Sequence, residues 1–148
     1  LNLGVHKTIK KKKKLASPKK IVDKYPGRFT FEAMSPQDVF ESVSNIIELL
    51  QKHTKDETWI MLTVSPVPLS RTFRDQDVIT ANMYSKSVLR VAAEIESEKS
   101  PHVEYFPSYE SVMLSERETI WEDDQIHIKY GAIKKITQRV IDNYSEKN

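Results

Sequence analysis

The 148-residue chain contains no cysteine. Disulfides, thiolate metal sites and a cysteine nucleophile are therefore excluded. Its three glycines are too few for a glycine-rich phosphate loop or a dinucleotide fingerprint, which need several at fixed spacing. No apolar run approaches the roughly 18 residues of a membrane-spanning helix. The first residues also lack the long apolar stretch of a secretory signal, so a cytoplasmic location is the default expectation. His6, His53 and His102 stand alone, and no His and carboxylate share a metal-binding helical spacing. Neither a metal nor a cofactor is expected.

What is present is an uneven charge. The net +2 combines residues 1–28, with ten Lys/Arg against one acid, and residues 29–148, with thirteen against twenty. The first segment, at a net +9, carries Lys7, the run Lys10, Lys11, Lys12, Lys13 and Lys14, then Lys19, Lys20 and Lys24. Such a block repels itself and buries little apolar surface, so a disordered arm is expected. It has two readings. One is contact with nucleic acid or another anionic surface through phosphate neutralisation, or a localisation signal. The other, preferred here, is a solvated linker or insertion. No aromatic residue interleaves the lysines before Tyr25, so no stacking platform for single strands is present.

From residue 29 onward the sequence alternates helical and extended patterns. Phe29, Phe31 and Met34 form a short extended entry. Ser35-Pro36 has the form of a helix start, with Ser35 as cap, Pro36 in the first turn and Asp38 at the positive end of the dipole. Val39, Phe40, Val43, Ile46, Ile47 and Leu50 recur at spacings of three and four, which predicts one buried face and an end near Lys52–Asp56. Trp59 to Val64 reads as a strand buried on both faces, ended by Pro66 and Pro68. Residues 77–98 are predicted helical. Val103 to Phe106 forms a second strand, residues 108–115 one or two helical turns, and residues 129–144 a last helix with Ala132, Ile133, Ile136, Val140 and Ile141 inward. The order implies an α/β fold with parallel strands. Two strands make a poor independent sheet. Together with Leu rather than Met at position 1, this gives the expectation that the chain is the C-terminal part of a larger sheet.

In open α/β sheets ligands bind beyond the carboxyl ends of the strands, which directs attention to three sets of residues. Asp124-Gln125-Ile126-His127 precedes the last helix. A loop with this spacing lets the carboxylate fix the imidazole tautomer and leaves the second ring nitrogen as general base. The alternative is a surface histidine beside the acidic run Glu122-Asp123-Asp124. Ser65, at a strand end, either faces a site or bonds its own backbone. The second is favoured because no Gly-x-Ser-x-Gly elbow surrounds it. Asn82 and Lys86, four apart on one helical face, point either into a site or into solvent. Trp59 and Trp121 read as core or rim aromatics.

Three blocks in order, Thr63 to Leu69 (TVSPVPL), Asn82 to Arg90 (NMYSKSVLR) and Tyr105 to Glu110 (YFPSYE), closely resemble the GSCFA family. The resemblance runs from about residue 28 to residue 144. That family takes its name from a Gly-Ser-Cys-Phe-Ala motif near its N-terminus and is related to the SGNH (GDSL-like) hydrolases. The resemblance implies a flavodoxin-like SGNH-type three-layer sandwich with a parallel sheet. It also implies ester hydrolysis or acyl transfer on an acylated substrate, such as a glycan ester. Asp124 and His127 would be the acid and base of the catalytic set, and Ser65, Asn82, Ser85 and Lys86 the substrate-binding residues. A serine nucleophile would attack and an oxyanion hole would hold the intermediate. The sequence departs from the family in having no Gly-Ser-Cys-Phe-Ala stretch, so nucleophile and oxyanion hole are expected upstream of Leu1. The lysine-rich arm has no evident counterpart in the family, and is expected to be an insertion.

The leading expectation is thus residues 29–148 as the C-terminal portion of a hydrolase domain, inactive alone for want of its nucleophile. An acyltransferase of the same fold and a non-catalytic module that grips an anionic polymer through Lys10 to Lys14 are the alternatives. A remnant without function is a third.

Overall fold

The computed structural model describes residues 4–8, 14–16, 24, 28–55 and 58–145. The chain is mixed α/β, with one small antiparallel sheet, one small parallel sheet and helices. It divides into two compact units, residues 1–56 with 69–92, and residues 57–68 with 93–148.

The first unit holds strands β1 (Gly4–Thr8), β2 (Lys14–Ala16) and β3 (Phe29–Ala33), in the order β2-β1-β3. Both pairings are antiparallel, with Val5 opposite Ala16 and Lys7 opposite Lys14 on one side, and Gly4 opposite Ala33 through Thr8 opposite Phe29 on the other. Strands β1 and β2 depart from the arm without regular structure expected over this segment. Backbone pairing of β1 to β3, and of β2 to β1, supplies what apolar patterning does not advertise. Lys10 to Lys13, the body of the lysine run, lie outside the described residues.

Helix α1 (Pro36–His53) starts where the cap residues place it. The Ser35 amide donates to Asp38 Oδ2 at 3.0 Å and the Asp38 amide donates to Ser35 Oγ at 3.2 Å, a reciprocal capping box. The Thr54 amide closes the other end on Leu50 O at 2.9 Å. Val39, 2% exposed, packs with Val88 and Ala92, flanked by Met34, Phe40, Val43, Tyr84 and Leu89. Burial of one such valine is worth about 2 kcal/mol. The Tyr84 hydroxyl donates to Met34 O at 3.3 Å and ties the chain leaving β3 onto this cluster. Ile46 and Leu50, expected inward, are exposed, whereas Ile47 is buried. The apolar stripe is wider than the surface that covers it.

Helix α2 (Val78–Lys99) begins behind Asp77, whose carboxylate accepts from the Thr80 amide at 2.8 Å and from the Thr80 hydroxyl. That cap holds the Asp77 carboxyl below its ordinary range, the Thr80 hydroxyl being the largest cause. The division between the units falls within α2, after Ala92.

In the second unit β4 (Ile60–Leu62) and β5 (Val103–Tyr105) pair in parallel, Ile60 opposite Val103 and Leu62 opposite Tyr105. The expected strand buried on both faces is not what forms. Ile60 and Val64 are buried, but Met61 and Trp59 are exposed. Short helices α3 (Ser108–Met113) and α4 (Arg117–Ile120) follow, then α5 (Tyr130–Tyr144). Ala132 is buried, while Ile133 and Ile141, also expected inward, are exposed. No helix among the described residues is long and apolar enough to cross a membrane.

Candidate acid–base site

The segment between α4 and α5 shows no hydropathic period, yet it has a defined shape. Trp121 and Ile128 form an antiparallel bridge. Inside it the Glu122 amide donates to His127 O at 2.8 Å, and outside it the Lys129 amide donates to Ile120 O at 2.8 Å. The turn closes through the Gln125 amide to Glu122 O at 2.9 Å, with Gln125 at φ +58°. A left-handed backbone at a residue other than Gly, Asn or Asp costs on the order of 1 kcal/mol, so the surroundings must hold it. Trp121, 4% exposed, anchors the bracket. The Arg117 guanidinium lies 5.3 Å from the Trp121 ring centre and its Nε donates to Gln125 Oε1 at 2.9 Å.

Asp124 organises the turn from within. One carboxylate oxygen accepts from the Ile126 and His127 amides, each at 2.9 Å, and the other meets His127 Nδ1 at 2.5 Å. Three donors converge on one carboxylate. The Asp124 carboxyl is consequently lowered to about 2, the His127 amide being the largest cause and the imidazole the next. The imidazole is shifted the other way, up from its ordinary value, first through its hydrogen bond to Asp124 and then through that residue's charge. The His127 side chain is 74% exposed and that of Asp124 46%. Solvent therefore screens the pair, and its value lies in orientation rather than in stability. Nδ1 is committed to the carboxylate, which leaves Nε2 as the basic atom on an open ring.

The remaining sequence-predicted residues are placed differently. Ser65 Oγ accepts from the Val67 amide at 3.3 Å, and among the described residues this is its hydrogen bond. That bond is local to its own loop. Asn82 Oδ1 accepts from the Leu69 amide at 3.0 Å and pins the chain after Pro68 to α2. The Ser85 hydroxyl is buried and donates to Ala81 O at 3.0 Å. Lys86, 5% exposed, does not face solvent, and burial lowers its pKa. Asp124, His127 and Ser65 belong to the second unit, and Asn82, Ser85 and Lys86 to the first.

Two residues whose roles patterning did not show join the strand ends. The Thr63 hydroxyl donates to Phe106 O at 2.9 Å, the Ser108 hydroxyl donates to Val64 O at 3.1 Å, and the two oxygens are in contact. The Tyr105 hydroxyl donates to the Glu110 carboxylate at 2.8 Å. Much of the YFPSYE block thus fastens β5 to β4 and to α3. Its only sequence signal was an excess of hydroxyls beside strand ends. Among the described residues no three His, Asp or Glu gather as a metal site would require.

Residues 2–140 match the sequence profile of the GSCFA family, and the chain belongs to that family. The match begins before residue 28, and its bounds enclose the lysine-rich segment. No curated protein and no solved structure matches the chain significantly.

Proposed function

We propose that Asp124 and His127 are the acid–base half of an SGNH-type acyl-transfer site in this GSCFA-family chain, acting on an ester such as an acylated glycan. The observation that carries the reading is the pair itself, a carboxylate held by two backbone amides and aimed at Nδ1 of an open imidazole. Nε2 would take the proton of a serine hydroxyl as that oxygen attacks the ester carbonyl, then return it to the departing alkoxide. Water, or an acceptor hydroxyl, would release the acyl group by the same proton path. Asp124 stays ionised throughout and stabilises the imidazolium.

The serine in this reading comes from outside these residues, since Ser65 shapes its own loop and no Gly-Ser-Cys-Phe-Ala stretch is present. The parallel β4–β5 pair would be part of a flavodoxin-like three-layer sandwich. Residues 29–148 would form the C-terminal portion of that domain, and residues 1–28 the basic segment leading into it. The test is p-nitrophenyl acetate turnover by the full-length protein. His127→Ala should lower kcat by about 10³-fold or more with the circular dichroism unchanged. Equal turnover by the folded variant would overturn the reading. His127-dependent turnover by these 148 residues alone would overturn the external nucleophile.

A further inference from the structure

The first unit contains a small cavity of about 20 Å³ between the loop after Pro68 and the start of α2, lined in part by Arg71, Thr72, Arg74, Tyr84 and Ser85. That space admits about one water-sized atom group, such as the leading oxygen of a larger ligand. Arg74 Nη1 is fully buried, and no acceptor among the described residues lies within its hydrogen-bonding reach. A buried guanidinium N–H without an acceptor is costly, on the order of 1–3 kcal/mol, and calls for a partner.

The chemistry of the lining defines that partner. Neither Arg71 nor Arg74 forms an ion pair among the described residues. The nearby Asp77 carboxylate is occupied by the Thr80 amide and hydroxyl. Thr72 Oγ1 accepts from the Arg74 amide at 3.1 Å, which leaves the Thr72 O–H to donate. The Ser85 and Tyr84 hydroxyls already donate to Ala81 O and Met34 O. What remains unspent is therefore two guanidinium groups and one hydroxyl proton, all donors. Arg74 is also held in place, its guanidinium carbon 4.5 Å from the centre of the Tyr84 ring. Asn82 fixes the start of the same loop through the Leu69 amide.

We infer that this cavity is an oxyanion-binding site in which Arg74, Arg71 and Thr72 hold a carboxylate or phosphate group. Arginine presents its donors as a fork that matches either group, and a ring-stacked guanidinium is already oriented for it. All of these residues lie in the first unit, so the inference is independent of the acid–base pair.

The test is titration of the full chain with sodium acetate and, separately, with sodium phosphate, at an ionic strength held constant with sodium chloride. Heat of binding and thermal midpoint are the readouts. One of the two anions should bind and raise the midpoint beyond chloride, acetate marking a carboxylate site and phosphate a phosphoryl site. Arg74→Gln should weaken that binding by about tenfold or more, as loss of a charge-assisted pair does. Arg71→Gln, at the exposed side, should weaken it less. Binding no stronger than that of chloride, or equal in folded Arg74→Gln, would overturn the inference. If Arg74→Gln does not fold, the double variant Arg71→Gln/Thr72→Val decides, and unchanged affinity there would overturn it equally.

Discussion

Of the aspartates that bond a residue three positions away, Asp38 and Asp124 use the spacing for different ends. Asp38 reaches back to Ser35 and accepts from its amide and its hydroxyl, at 3.0 and 2.7 Å. Asp124 reaches forward to His127 and accepts from its amide and its ring, at 2.9 and 2.5 Å. The first opens an 18-residue helix, and its partner is a hydroxyl that does not titrate. The second sits in a turn outside any helix, and its partner changes charge near neutral pH. Spacing alone therefore says that an aspartate will be locally engaged. The chemistry of the partner separates a helix cap from the pair proposed as a proton relay.

The largest effect expected to separate the two is catalytic. Asp124→Asn in the full-length protein should lower ester turnover on the order of 10³-fold, because the amide cannot balance the imidazolium. Asp38→Asn should leave turnover unchanged. If both variants turn over substrate like the parent, the distinction between relay and cap collapses.

The next effect concerns pH. In the proposed mechanism deprotonated His127 is the working base, so kcat/KM should rise with pH through the imidazole's raised value and then level. Asp124→Asn should bring that inflection down towards the ordinary 6.5. The same shift has a stability consequence of opposite sense. A raised histidine contributes in full below 6.5, and the contribution is lost as pH rises through the folded value. Asp124, lowered to about 2, contributes above its ordinary 3.8 and loses the contribution as pH falls through about 2. A parent inflection at or below 6.5 would contradict the coupling.

Smaller, and confined to stability, is the cap. Ser35→Ala should cost about 1 kcal/mol, read as a fall in urea midpoint at constant slope, without moving the pH profile. The smallest effect belongs to the turn. Gln125→Gly relieves the positive φ but gives up the bond to Arg117 Nε. The two should cancel to within about 0.5 kcal/mol. Gln125→Val should instead cost about 1 kcal/mol, because a β-branched residue resists that backbone. Equal midpoints for the Gly and Val variants would show that the turn is not strained.

Much of the helical layout was legible. Ser35-Pro36 and the fade near Lys52 bracket α1 as observed, and the expected helix over 77–98 is α2 at Val78–Lys99. These boundaries are readable because caps and 3.6-residue periodicity are local. The contact between Asp124 and His127 was legible for the same reason, four consecutive residues closing on themselves. Gln125 was not, since nothing in its identity signals a left-handed backbone. Arg74 was not either, because its burial depends on a loop and a helix folding together.

The sequence by itself determined where helices start and stop and that Asp124 and His127 can meet, since both depend on contacts within a few residues. Only the tertiary structure decided that β1, in a lysine-rich segment, pairs with both β2 and β3. It alone decided that Ile47 is covered while Ile46 and Leu50 are not, and that Arg74 has a buried donor without an acceptor. Strand pairing and burial are set by what lies opposite a residue in space, and hydropathy read along the chain carries no record of that partner.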